Sequence, residues 1–158
     1  MCIRDRSNTA TLTVSSAPTI FKAFNPVGIS SGGNSVVTLT LSNGNASALT
    51  GGAFTDALTN MSAVGGAVGG TCVGTTPNAL AAGATALSFT GITIPASGSC
   101  TVIFSVTSST AGAQTNKTSG VTTTQTPAAG AASNTANLTV LSLPTIGKAF
   151  NLSLIHIF

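Results

Sequence analysis

A lysine, a carboxylate and two carboxamides are the side chains here that could react with one another: Lys22, Asp56, Asn116 and Asn134. An amine and a carboxamide condense to a secondary amide with loss of ammonia when the amine is uncharged and an acid polarises the carbonyl. Burial supplies both conditions, because desolvation favours neutral Lys22 as nucleophile and protonated Asp56 as proton donor. Two acceptors fit the pattern: Asn116, in Gln-Thr-Asn after Ala-Gly, and Asn134, which has the parity of Leu138 and Val140. Three plainer outcomes stay open: a buried Lys22–Asp56 ion pair, a lysine guarding an edge strand, and ordinary surface placement.

Cys72 and Cys100 form the second pair, 100 − 72 = 28 positions apart. Each lies near an expected strand rather than in a Cys-x-x-Cys pair, and no histidine lies nearby to complete a zinc site. A disulfide is the expected product, closing a loop worth on the order of 3 to 4 kcal/mol. The alternative is a pair of buried free thiols in a reducing compartment.

Strands must position these groups. Thr, Ser, Ala, Gly and Val dominate, apolar residues alternate in short runs, and Gly, Asn and Pro clusters separate the runs. The alternation predicts strands over 19–24, 35–43, 53–58, 71–73, 86–94, 100–106, 114–118, 121–125 and 134–140. Turns are expected at 26–33, 43–45 and 95–98, with a Gly-rich passage over 65–70. Ile20, Lys22 and Phe24 share one parity, and Phe54, Asp56 and Leu58 share another, so the lysine and the acid both face the core. Eight or nine strands at this spacing predict an all-β, immunoglobulin-like Greek-key β-sandwich.

The chain also repeats itself. Ser7–Asn25, SNTATLTVSSAPTIFKAFN, returns as Ser133–Asn151, SNTANLTVLSLPTIGKAFN, with 15 of 19 positions identical and a period of 133 − 7 = 126 residues. One complete domain at 17–142 is therefore expected. The last strand of a preceding repeat occupies 7–16, centred on 9–14, and the start of the next occupies 143–151. Outside this pattern, residues 1–6 (MCIRDR) and 152–158 (LSLIHIF) read as sequencing-adapter sequence. One inverted DNA repeat, resembling a transposon end used in library preparation, encodes Met1 to Asp5 in one direction and Leu152 to His156 in the other.

With those ends set aside, Lys22, Lys117, Lys148 and Asp56 are the only charged side chains. The formal charge of +3 then says little about partners. No basic patch awaits phosphate and no Trp or Tyr awaits a base, so nucleic acid is not expected. No apolar run approaches a membrane span. One carboxylate cannot cage calcium and leaves no general acid/base pair, so neither metal, cofactor nor turnover catalysis is expected. Thr-rich runs such as 122–124, and sequons at Asn45 and Asn137, raise ice binding or glycan attachment; β-propensity and uncharged solubility account for them more simply.

KAFNPVGISSGGNSVVTLTLSNGNASALTGGAFTDAL, then GGTC, then ITIPASGSCTVIFSVTSSTAGAQTN, resembles the tandem immunoglobulin-like repeat of large bacterial surface proteins. The likeness covers nearly the whole repeat, departing at Thr59-Asn60, where that family usually turns with Pro. It implies a secreted or cell-surface, adhesin-like setting. In surface and pilus proteins with similar sandwiches, the lysine, acid and asparagine form an isopeptide bond. The function expected is a non-catalytic stalk or spacer repeat, its partners being neighbouring repeats of the same chain. The alternative is an adhesin-type module that recognises a host or cell-wall glycan or protein through loops at one sandwich end; those loops lack Trp, Tyr and Arg, the usual anchors of such interfaces.

Overall fold

The computed structural model describes residues 12–151. The two adapter-like ends, and residues 9–11 of the strand expected at 9–14, lie outside the described residues. Twelve strands occur among those described: β1 (Thr19–Asn25), β2 (Gly28–Ser30), β3 (Asn34–Asn43), β4 (Leu49–Ala57), β5 (Ser62–Ala63), β6 (Gly66–Ala67), β7 (Gly69–Gly70), β8 (Ala79–Leu80), β9 (Ala86–Ile94), β10 (Gly98–Thr107), β11 (Gly112–Asn116) and β12 (Ala136–Leu141). No helix is present among these residues, and the fold is an all-β sandwich.

One layer runs β1-β3-β10-β5, with β7 also paired to β10. The other contains β4 with β9, and β11-β12-β2. Isolated bridges Ala53↔Thr122 and Asp56↔Thr118 join β4 to the segment that follows β11. Alternation makes the core: Val37, Leu39 and Leu41 of β3 and Val102, Phe104 and Val106 of β10 face Phe54, Leu87 and Phe89 from the opposite layer. The Phe54, Phe89 and Phe104 rings pack in series across the middle, with centroids 5.1 and 5.6 Å apart.

β1, β3, β9 and β10 lie where the alternation places them, β4 begins four residues earlier than expected, at Leu49, and β11 and β12 are displaced by up to two residues. Val121–Gln125 forms no strand; only Thr122 bridges, because Thr123 Oγ1 accepts from the Thr126 backbone N–H at 3.0 Å and turns the chain locally. Thr71–Val73 likewise carries a single bridge, Val73↔Thr93. Within the turn expected at 26–33, β2 pairs parallel to β12.

Both chain-end segments depart from the strands that the repeat predicts. Leu12–Val14 is not in a strand, and neither is any part of Leu143–Asn151. Their internal copies show why: Leu138 and Val140 are buried within β12 and Ile20 and Phe24 within β1, whereas Leu12, Val14, Ile146 and Phe150 are 87, 81, 99 and 83 % exposed. A strand of this composition is stable only against partners to pair and pack with, and the end segments have none within the described residues.

Candidate functional site

Lys22 lies mid-β1, between Ile20 and Phe24 on the buried face, and is itself only 1 % exposed. Its neighbours across the sheet, through the register Lys22↔Leu39, are apolar. The amine crosses to the other layer and meets two oxygens there. Lys22 Nζ donates to Asp56 Oδ2 of β4 and to Asn116 Oδ1 of β11. Asp56 and Asn116 are buried as well. The ring of Phe24 closes one side, its centroid 5.7 Å from Nζ.

The carboxamide of Asn116 is held from behind. Its Nδ2 donates to the Ala57 carbonyl at 2.7 Å, which turns Oδ1 toward the amine and leaves Cγ beside it. Asp56 and Thr118 are cross-strand partners, so the acid is fixed to the chain two residues beyond Asn116. Asp56 Oδ1 and Thr118 Oγ1, both buried, have no hydrogen-bond partner among the described residues. Buried polar atoms are otherwise nearly always paired, and exceptions concentrate where chemistry happens.

Burial pushes the Lys22 amine below its ordinary value of 10.5, and the charge and hydrogen bond of Asp56 pull the other way without winning. Passing one proton from Nζ to Asp56 would therefore yield a neutral amine in contact with a carboxylic acid and with an oriented carboxamide. A surface cleft lined by Ala57, Thr59, Thr115, Asn116, Lys117 and Thr135 opens beside this site.

Asn134 takes a different place. Regular β12 begins only at Ala136, so the parity of Leu138 and Val140 does not extend back to it, and Asn134 sits at the surface. Its Oδ1 accepts from the backbone N–H of Lys22 at 2.8 Å, and its Nδ2 donates to the Lys22 carbonyl at 3.0 Å. It contacts the lysine backbone, whereas Asn116 contacts the amine.

Cys72 and Cys100 form a disulfide with Cα atoms 4.8 Å apart, tying the loop after β7 to β10. The Thr71 and Cys72 N–H groups both donate to the Thr101 carbonyl, at 2.9 and 3.0 Å, so backbone and sulfur bonds hold the same strand. Asn45, legible in the sequence only as a turn residue and a sequon, has a structural role. Its Nδ2 donates to Ser16 O at 2.9 Å and to Asn43 Oδ1 at 2.7 Å, and its Oδ1 accepts from Ser16 N at 2.8 Å. This carboxamide binds the entering linker rather than standing free as a glycan acceptor.

Residues 18–140 match the family model described as "Domain of unknown function (DUF7933)". A search of curated proteins finds no match. Solved structures with similarity include the cupredoxin domain of amoB from Nitrosocaldus yellowstonii, at 11% identity over 91% of this chain and 100% of that one, with TM-score 0.43. The seventh ScaB type I cohesin from Pseudobacteroides cellulosolvens aligns at 11% identity over 84% and 98%, with TM-score 0.35. A GH20 exo-β-N-acetylglucosaminidase from Vibrio harveyi aligns at 14% identity over 90% of this chain but only 20% of its own length, with TM-score 0.40.

Proposed function

The chain belongs to the DUF7933 family over residues 18–140, and we propose that this domain is a load-bearing spacer repeat of a secreted or cell-surface bacterial protein, stapled by its disulfide and by a self-formed Lys22–Asn116 isopeptide bond. One observation carries the reading: a buried amine in contact with both a buried acid and an oriented carboxamide, joining β1 to β11 across the sandwich.

The chemistry balances without any cofactor. Lys22 gives one proton to Asp56, and the freed Nζ lone pair attacks Asn116 Cγ while the Asp56 acid supports the developing charge on Oδ1. The Cγ–Nδ2 bond breaks, and Nδ2 departs as ammonia carrying the second amine proton. The new amide keeps one proton on Nζ, and Asp56 remains protonated. Because the site turns over once, the domain is a substrate of its own fold rather than an enzyme. The cleft beside Asn116 gives ammonia a short way out.

The duplicated segments support a tandem setting. Fifteen of 19 positions recur at a spacing of 126 residues, the length of one sandwich domain. Neighbouring repeats are therefore the partners proposed, and the disulfide favours an oxidising, extracellular location.

Intact mass of the denatured chain, with and without reductant, tests this reading. The result expected is a deficit of one ammonia that survives reduction, with tandem fragmentation linking Lys22 to Asn116. A further loss of two hydrogens should appear only without reductant. Full mass after reduction would leave Lys22 and Asp56 as a buried ion pair and end the isopeptide reading.

A further inference from the structure

The reactive lysine is held by something other than its own sheet. In the register Lys22↔Leu39 the N–H and C=O of Lys22 point away from β3, toward the open edge of β1. Those two groups are taken by one side chain, Asn134, whose carboxamide pairs with both as a neighbouring strand would. Resting on the isopeptide reading, we propose that Asn134 is the positioning residue for the cross-link, setting where the lysine stands relative to its acceptor.

The register explains how. Asn116 pairs with Ala136, the first residue of β12, so Asn134 lies two residues before the partner of the proposed acceptor. Ser133 extends the connection: its Oγ accepts from Thr118 N–H at 3.0 Å and donates to the Asn134 carbonyl at 2.9 Å. Thr118 is in turn the bridge partner of Asp56. A continuous path therefore runs from Asp56 through Thr118, Ser133 and Asn134 to the Lys22 backbone, and the Lys22 amine closes it on Asp56. Without Asn134, β1 keeps its pairing with β3 and the side-chain contact of Lys22 with Asn116, but the backbone of Lys22 loses its tie to the segment that leads into β12. Misplacement by a fraction of an ångström is enough to slow an intramolecular attack. The internal repeat carries the same parts: Ser-Asn recurs at Ser7-Asn8, upstream of the first domain, and the lysine recurs as Lys148.

The test follows maturation in time. The full chain is synthesised in a cell-free system with a glutathione redox buffer, sampled at intervals into denaturant, and its ammonia loss read by intact mass. Asn134→Ala is expected to mature at least tenfold more slowly than the parent while circular dichroism and the disulfide stay unchanged. Asn134→Asp, of the same shape, covers the case in which the alanine variant does not fold. Its ionised carboxylate opposes the Lys22 carbonyl, whereas its protonated form restores the donor. The ratio of its rate to the parent's should rise as pH falls toward the carboxyl range. A folded Asn134→Ala or Asn134→Asp protein that matures at the parent's rate at every pH would overturn this role and leave the isopeptide reading standing. A parent that keeps its full mass would overturn both.

Discussion

At the scale of single residues, the argument turns on a lysine in the core of a domain that has almost no charge to spare. In the chain before any cross-link, Lys22 lies beside Asp56, and burial holds its folded value below the ordinary 10.5. The sign of the pH dependence follows. Between that lowered value and 10.5 the unfolded chain binds a proton that the folded chain has given up, so stability rises with pH through this window. The slope approaches about 1.4 kcal/mol per pH unit where the difference is a whole proton. An Asn116→Ala protein, unable to link, should therefore melt at rising temperature as pH climbs toward 10.5, relative to an Asn116→Ala/Lys22→Met protein. Parallel melting curves for the two would show that the amine titrates as if exposed. Parity put Lys22 and Asp56 on the core face, because the alternation is unbroken over β1 and over Phe54 to Ala57 of β4, beyond the irregular pairing around Gly52. The choice between Asn116 and Asn134 was not legible, because it depends on β12 starting at Ala136 rather than at Asn134.

At the scale of elements, the strands legible in the sequence are those long enough to carry a period: β1, β3, β9 and β10 nearly whole, β4 from Ala53 onward, and β11 and β12 with bounds displaced by up to two residues. Two-residue strands such as β5 to β8 have no period to read, and their placement comes from tertiary hydrogen bonds such as Val64 N–H to Ser105 O. The Cys72–Cys100 bond stabilises this irregular passage by closing a loop of 28 residues against β10. Reducing it in an unlinked Asn116→Ala protein should cost about 3 to 4 kcal/mol, measured as a lower denaturant midpoint with a slope that rises as the denatured chain expands. An unchanged midpoint would mean that the backbone bonds from Thr71 and Cys72 to Thr101 already hold the loop unaided.

At the scale of the whole molecule, the duplicated segment behaves as a control that the chain carries within itself. Thr19–Asn25 is a strand and its copy at 145–151 is not, although the two differ only where Phe21 becomes Gly147. What separates them is the presence of β3 alongside, so the information that makes this segment a strand resides in its neighbours. The same dependence describes how a linked domain would carry load. Force entering at β1 would pass from Lys22 directly to Asn116 and leave through β12, by-passing the 94 positions between them. Pulled from its ends under reducing conditions, the linked domain should lengthen by about 300 to 340 Å less than the Asn116→Ala protein, at roughly 3.3 to 3.6 Å for each residue withheld. Equal extensions for the two would show that force travels through the whole chain, and the spacer reading would then lose its mechanical basis.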